Sequence, residues 1–402
     1  MLERLDDIDW SLLSHAYGAA DDVPGWIREL ASGDDEVRIG AYQGLYASIV
    51  HQGSRYEATA HAAPFLLELL ADESVPDRAV LVEMLAVMAI GGDEAWLPGT
   101  FPVALVREQA RGGGAVRAAA PRADHPDFDE EEVYRYVEGL SEQDRTRYHR
   151  HIELDVYDAV RAGVPLLREL LRDPDPAVRI RAAYALAWFP EEAASSGPVL
   201  LAAATDARDT FEQVRVSATA LVAASLLGHG PPADLLAAPD RVTRWAAAVA
   251  TALVDGEDAP DAAVTELLGW ASGAPRDQIP FLDGNLAGLA GLVLERSERH
   301  AARVFAAWLR GIPTVSGSDA LTMAGSALRM AFPEPVPAGT AYGHLTQDQR
   351  RLLAVLARSP RAWMLGERRF GNFSLMMSDY GLSGSREQLR AYVNGEVRSA
   401  RP

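Results

Sequence analysis

Four side chains in the stretch YHRHIELD, namely His149, His151, Glu153 and Asp155, are of the types that ligate zinc or iron through nitrogen and oxygen. Their spacing argues against it: residues two apart on a helix point to opposite sides, so the two histidines share a face only in extended chain. Adding His125 from the preceding stretch hardly improves the set, and the acidic run Asp127 to Glu132 reads as a solvated helix start favoured by the helix dipole. No metal or cofactor is expected. A second set, Arg181, Tyr184 and Trp188, has spacings of three, four and seven that place it in one helical stripe, and these are the residue types in which binding hot spots are enriched. The opposing reading is that large aromatics simply pack on a neighbouring element. A third set, His51, Gln52, Tyr56 and Thr59, lies in and just after a loop, where polar groups serve function; against that, His51 could cap its helix and Tyr56 pack down.

Catalytic fingerprints are missing. There is no G-x-S-x-G, H-E-x-x-H or G-x-x-x-x-G-K-[ST], and no G-x-G-x-x-G in the right context. The chain has no cysteine, which excludes disulfides, thiolate nucleophiles and cysteine-based metal sites. It also has no lysine, so all 38 basic residues are arginine and Schiff-base chemistry is excluded. No catalytic residue is nominated.

The elements that must position these residues repeat. In DPDPAVRIRAAYALAWFP, Val178, Ala182, Ala185, Leu186 and Phe189 fall on one helical face, and GVPLLRELLRDPDP before it reads as a second amphipathic helix ended by aspartates and prolines. Val178-Arg179 with Ala182 is matched by Val214-Arg215 with Ala218, 36 residues on, and by Val37-Arg38 with Ala41. A looser copy, DRVTRWAAAVATAL, begins near Asp240. Paired helices at such a period, none able to bury its apolar face alone, indicate a helical solenoid. The aspartates at fixed register before Arg38 and Arg179 predict that the repeat arginines, Arg215 included, hold the stack through ion pairs.

The pattern D-x-x-V-R-x-x-A-x-x-A-L after an apolar helix resembles the HEAT repeat, in the short variety named after phycobilisome lyases; HQGSRYEATAHAAPFLLELL and the opening LDDIDWSLLSHAYGAADDVP resemble HEAT-repeat proteins common in high-GC Gram-positive bacteria. The resemblance implies an all-α right-handed α-α superhelix. It also implies that second helices line a concave groove, placing Arg181, Tyr184 and Trp188 at or near it, with Tyr42, Tyr46, Arg244 and Trp245 on corresponding helices. The expected organisation is N-terminal repeats over 1–106, a loop and helical insertion over 107–155 acting as a flap, further repeats over 156–332, and capping helices over 333–402. In the last region Thr346 and Gln349 form a capping box.

A net charge of −19 repels nucleic acid and anionic membrane, while leaving room for one local basic face. No stretch matches a signal peptide or membrane span, so a cytoplasmic protein is expected. The leading functional expectation is a non-catalytic scaffold holding a protein or peptide partner in the groove. The alternatives are a small-molecule enzyme or lyase-like protein with a pocket covered by residues 107–155, and an immunity or antitoxin-like protein whose acidic surface meets a basic partner.

Overall fold

The computed structural model describes residues 2–121, 130–206 and 210–397. His125 and the part of the acidic run at 127–129 lie outside them. Among the described residues the chain is all-α, with twenty α-helices and two short hairpins, and it divides into two compact units, Met1–His229 and Gly230–Pro402.

The first unit begins with the hairpin β1 (Ser14–His15) and β2 (Gly18–Ala19). Helical pairs follow: α1 (Val23–Glu29) with α2 (Asp35–Ser48), then α3 (Glu57–Ala71) with α4 (Arg78–Ile90). After α5 (Val103–Gln109), α6 (Gly113–Ala118) and α7 (Glu130–Gly139), the long α8 (Glu142–Arg161) and α9 (Val164–Glu169) pair with α10 (Pro176–Leu186), and α11 (Ala193–Thr205) pairs with α12 (Phe211–Leu226). The first helices α1, α3 and α8 pack side by side, as do the second helices α4, α10 and α12.

The repeated sequence pattern has a direct physical reading. Three second helices, α2, α10 and α12, start at a residue whose side chain accepts from the first turn: Asp34 from Glu36 N at 2.9 Å, Asp175 from Ala177 N at 2.8 Å, Thr210 from Gln213 N at 3.2 Å. Each such cap contributes about 1 kcal/mol. The repeat arginine then reaches back six residues to a turn carbonyl: Arg38 to Ser32 O at 2.9 Å, Arg179 to Asp173 O at 2.8 Å, and, in the second unit, Arg244 to Ala238 O at 2.9 Å. Inter-repeat pairs join the stack as Arg38 Nε to Asp77 at 2.7 Å and Arg78 to Asp173 at 2.6 Å.

Residues 107–121, expected as an unpacked loop, are mostly helical and packed. Their glycines serve close approach: a Cβ on Gly113 would lie 2.3 Å from the Arg147 carbonyl oxygen of α8, so only glycine lets α6 touch that backbone, and Gly112 turns the chain at φ +80°. Helix α8 packs on α3 and α4, burying Tyr148, Ile152, Val156, Tyr157 and Val160.

The second unit contains α13 (Arg241–Asp255), α14 (Asp261–Ala271), α15 (Leu286–Glu295), α16 (Ala301–Gly311) and α17 (Gly317–Ala331), then α18 (Gln347–Arg358), the hairpin β3 (Met364–Leu365) and β4 (Arg368–Arg369), α19 (Gly371–Asp379) and α20 (Arg386–Val393). Trp308 of α16 lies on Gly291 of α15, where a Cβ would come within 2.0 Å of the indole; Gly44 of α2 takes Trp26 of α1 in the same way. The capping box forms as expected, with Thr346 N donating to Gln349 Oε1 at 2.9 Å and Gln349 N to Thr346 Oγ1 at 3.3 Å. Helices α19 and α20 pack on α17 and α18.

Candidate functional site

The second-helix stripe is not displayed as expected. Residues 182–189 are buried without a break, as are residues 245–253 of α13, because these helices are rich in alanine and neighbours approach them closely on several sides. Trp188 and Trp245 have no exposed surface and belong to the core; Trp245 Nε1 donates to Leu286 O at 3.1 Å, and the Trp188 carbonyl accepts from the Tyr157 hydroxyl at 3.3 Å. Arg244 is the repeat arginine of its unit. Tyr184 is buried edge-on to Trp188, and Tyr42 is buried with its hydroxyl 3.4 Å from Asp77 O. Burial, followed by the charge of Asp93, pushes the Tyr184 hydroxyl well up in pKa. Half-buried Tyr46 and Arg181 meet through Glu83 of α4, whose Oε2 lies 3.1 Å from Arg181 Nη2. Burial raises the Tyr46 pKa, Glu83 adding to the shift and Arg181 opposing it. The stripe therefore ties α2, α4 and α10 together.

Of the loop set, Tyr56 lines a cleft, while His51, Gln52 and Thr59 lie outside its lining. The β1–β2 hairpin, the segment 54–57 leading into α3, and α7 and α8 enclose a cavity of about 320 Å³ lined by Arg55, Tyr56, Tyr134, Tyr148 and His149. It adjoins a second cavity of about 430 Å³ that shares Glu57 and Tyr148 and is bounded by Arg117 of α6. The histidines of YHRHIELD separate as a helix demands: His149 faces the cleft, while His151 lies 3.4 Å from Asp155 and beside Gly114. Among the described residues no group of three or more His, Asp or Glu is arranged to hold a metal ion.

Local backbone chemistry sets the cleft wall. His51 Nδ1 lies 3.0 Å from Ala47 O, so it carries the proton and caps the end of α2, while the Tyr17 hydroxyl sits 3.3 Å away on the same nitrogen and its ring packs edge-on. Gln52, at φ +50°, and Gly53, at φ +79°, turn the chain back sharply; a left-handed non-glycine residue stores about 1–2 kcal/mol. Tyr56 then starts α3: its N–H donates to Thr59 Oγ1 at 2.9 Å, and that hydroxyl donates to Ile49 O at 2.6 Å. Thr59 is thereby wholly internal.

Between them stands Arg55, which was not singled out from the sequence. Its side chain is 6% exposed, Nη1 donates to Gly53 O at 2.8 Å, Nη2 lies 3.4 Å from Glu153 Oε2, and its buried Nε has no hydrogen-bond partner. Gly91, at φ +76°, makes room for it, since a Cβ there would come within 2.6 Å of Nη1. Burial lowers the pKa of the Arg55 guanidinium, with Glu153 opposing. Burial and then Glu57 raise the Tyr148 hydroxyl to about 12, and desolvation lowers the His149 ring, again opposed by Glu153. Tyr56 is raised by burial and held back by its bond to Ser54. Tyr134 of the lining is 68% exposed, and Tyr17, in the hairpin turn between the lining residues Ala16 and Gly18, is 60% exposed. Two exposed tyrosines around a buried, charge-compensated arginine can grip a ligand by area and hydrogen bonding; nothing in the set is a poised nucleophile with its base. A sequence signal for the rim existed only at Tyr17, which stands in the quoted opening SHAYG.

Residues 137–223 match the family described as HEAT repeats. No curated protein and no solved structure matches the chain. No helix among the described residues is long and apolar enough to cross a membrane.

Proposed function

We propose that the first unit, whose stretch 137–223 matches HEAT repeats, a helical scaffold of the kind that mediates protein interactions, holds a segment of a protein partner in the cleft between the β1–β2 hairpin, the start of α3 and helices α7 and α8. The partner binds without being chemically changed, and the absence of cysteine suits a reducing cytoplasm. The observation that carries this reading is exposed Tyr134 in the lining of a cavity backed by Arg55, with exposed Tyr17 in the hairpin turn between the lining residues Ala16 and Gly18. Tyrosine and arginine are the residues on which binding energy concentrates, and Tyr17, although its ring packs edge-on to His51, leaves most of its surface free, as does Tyr134. The buried second helices argue against a groove lined by Trp188 and Trp245.

The size and partial enclosure of the cavity favour a second reading, a small molecule held under α7 and α8 from the 107–155 segment. Affinity capture distinguishes the two. A retained protein that is lost in the Tyr17→Ala/Tyr134→Ala variant, with melting temperature within about 2 °C of wild type because both side chains are exposed, supports the protein-binding reading. A small molecule in the eluate, with no protein dependent on the tyrosines, moves the second reading to first place.

A further inference from the structure

The charge of this chain is unevenly distributed. Residues 340–402 hold ten arginines against five acidic residues, which leaves 28 arginines against 52 acidic residues in the rest. Three of these arginines, Arg350, Arg351 and Arg358, gather with Arg310 in the second unit. Helices α16 and α18 pack together and leave an open cleft of about 760 Å³ between them. Its floor is apolar, from Leu309, Ala354 and Val355, and its rim carries Arg310, Arg350, Arg351 and Arg358. Arg350 and Arg358 stand two turns apart on α18, and Arg310 comes from α16.

The rim charges are largely unspent. Among the described residues Arg310, Arg350 and Arg358 have no carboxylate within ion-pair distance; Arg310 donates to Ser272 Oγ at 2.9 Å and Arg358 Nε to Ala354 O at 3.1 Å. Arg351 pairs with Asp348 at 2.9 Å and lies 6.0 Å over the Phe305 ring. The three like charges without a carboxylate, Arg310, Arg350 and Arg358, cost self-repulsion on one exposed rim, while the packing of α18 rests on Leu352, Leu353, Leu356 and Ala357.

We propose that the α16–α18 cleft is a docking site for an acidic peptide segment of a partner protein, its apolar side chains on the Leu309–Val355 floor and its carboxylates on Arg310, Arg350 and Arg358. The apolar floor selects this occupant over nucleic acid: single strands need exposed aromatic platforms for base stacking, and the cleft's aromatic, Tyr342, has its hydroxyl tied to Arg350 O at 3.0 Å and is only half-exposed. Arginine forks match carboxylates in paired geometry, and the guanidinium's weak hydration lowers the cost of bringing the two together. This site is separate from the tyrosine cleft of the first unit and does not depend on it.

The probe is a fluorescein-labelled glutamate–leucine peptide of about twelve residues, the span of α18 at about 1.5 Å per residue. Its binding to the full chain is followed by anisotropy beside a lysine–leucine control, a single-stranded oligonucleotide and phosphatidylserine vesicles. The site predicts saturable binding of the acidic peptide that weakens about tenfold between about 50 and 300 mM salt and by about tenfold in Arg350→Glu/Arg358→Glu, with the melting temperature unchanged and with Tyr17→Ala/Tyr134→Ala binding as wild type. Should the charge reversal lower the melting temperature, Arg350→Gln/Arg358→Gln supplies the same comparison. Binding that ignores both pairs of substitutions overturns the proposal. So does tighter binding of the oligonucleotide or the vesicles, and so does self-association in sedimentation that the double variant abolishes, which would make the occupant a second copy of this chain.

Discussion

Replacing Trp188 by alanine separates the two roles its sequence position allowed. The indole has no exposed surface, lies edge-on to Tyr184 with ring centroids 5.6 Å apart, and sits at the end of α10 where the Tyr157 hydroxyl closes on its carbonyl. A side chain of this size buries up to about 250 Å², so at about 25 cal/mol per Å² the transfer term reaches about 6 kcal/mol as an upper bound. Truncations of buried aromatics cost about 3–5 kcal/mol in practice, because the site relaxes in part. For a unit of some two hundred residues each kcal/mol moves the melting temperature by about 2–4 °C, giving a fall of about 6–20 °C. The assay is thermal unfolding followed by far-ultraviolet circular dichroism. A shift below about 2 °C, accompanied by loss of a bound partner, would refute the reasoning, because that is the behaviour of an exposed contact residue.

Gly291→Ala tests the packing of the second unit with an opposed pair of effects. Alanine in a helix interior is favoured over glycine by about 1 kcal/mol, but here its methyl would lie 2.0 Å from the Trp308 ring, and overpacking costs about 1–3 kcal/mol, so net destabilisation is expected in urea unfolding. His300 supplies the pH dependence. It is buried, its Nε2 has no hydrogen-bond partner, and burial followed by Arg303 and Arg299 lowers its pKa in the folded state. The unfolded chain therefore takes the proton first: stability is full above about pH 6.5 and falls as pH drops through that value toward the lower folded one, by about 1.4 kcal/mol per unit of depression. Urea midpoints measured from pH 7.5 to 5 should fall less for His300→Gln than for wild type, and parallel curves would remove His300 as the cause.

How much of this was legible in the sequence follows from what kind of constraint each residue answers. The repeat was readable because caps and reach-back arginines are local: Asp34 and Arg38, Asp175 and Arg179, and Asp240 and Arg244 each act within six residues of themselves. The helicity of 107–121 was not readable, because glycine signals a loop in isolation and only the proximity of α8 shows that Gly113 exists for close approach. The aromatic stripe failed for a similar reason. Spacing places Tyr184 and Trp188 on one face, but which face meets solvent depends on how closely alanine-rich neighbours pack, and that is a property of the assembled layer. In the tyrosine cleft, Tyr56 was singled out by its loop context, whereas His51 and Gln52, singled out with it, lie outside the lining. Arg55 was missed between them because a buried arginine is recognisable only once Gly91 and Glu153, distant in sequence, are seen around it.

The central claim, that the first unit binds a protein through Tyr17 and Tyr134, is tested most directly by affinity capture from a lysate of the native cells with the wild-type chain, the Tyr17→Ala/Tyr134→Ala variant and the Arg350→Glu/Arg358→Glu variant in parallel. Proteins and small molecules in each eluate are identified by mass spectrometry. The account predicts a protein retained by the wild type and by the arginine variant and lost with the tyrosine variant at an unchanged melting temperature. Equal retention of every captured protein by the tyrosine variant would contradict it.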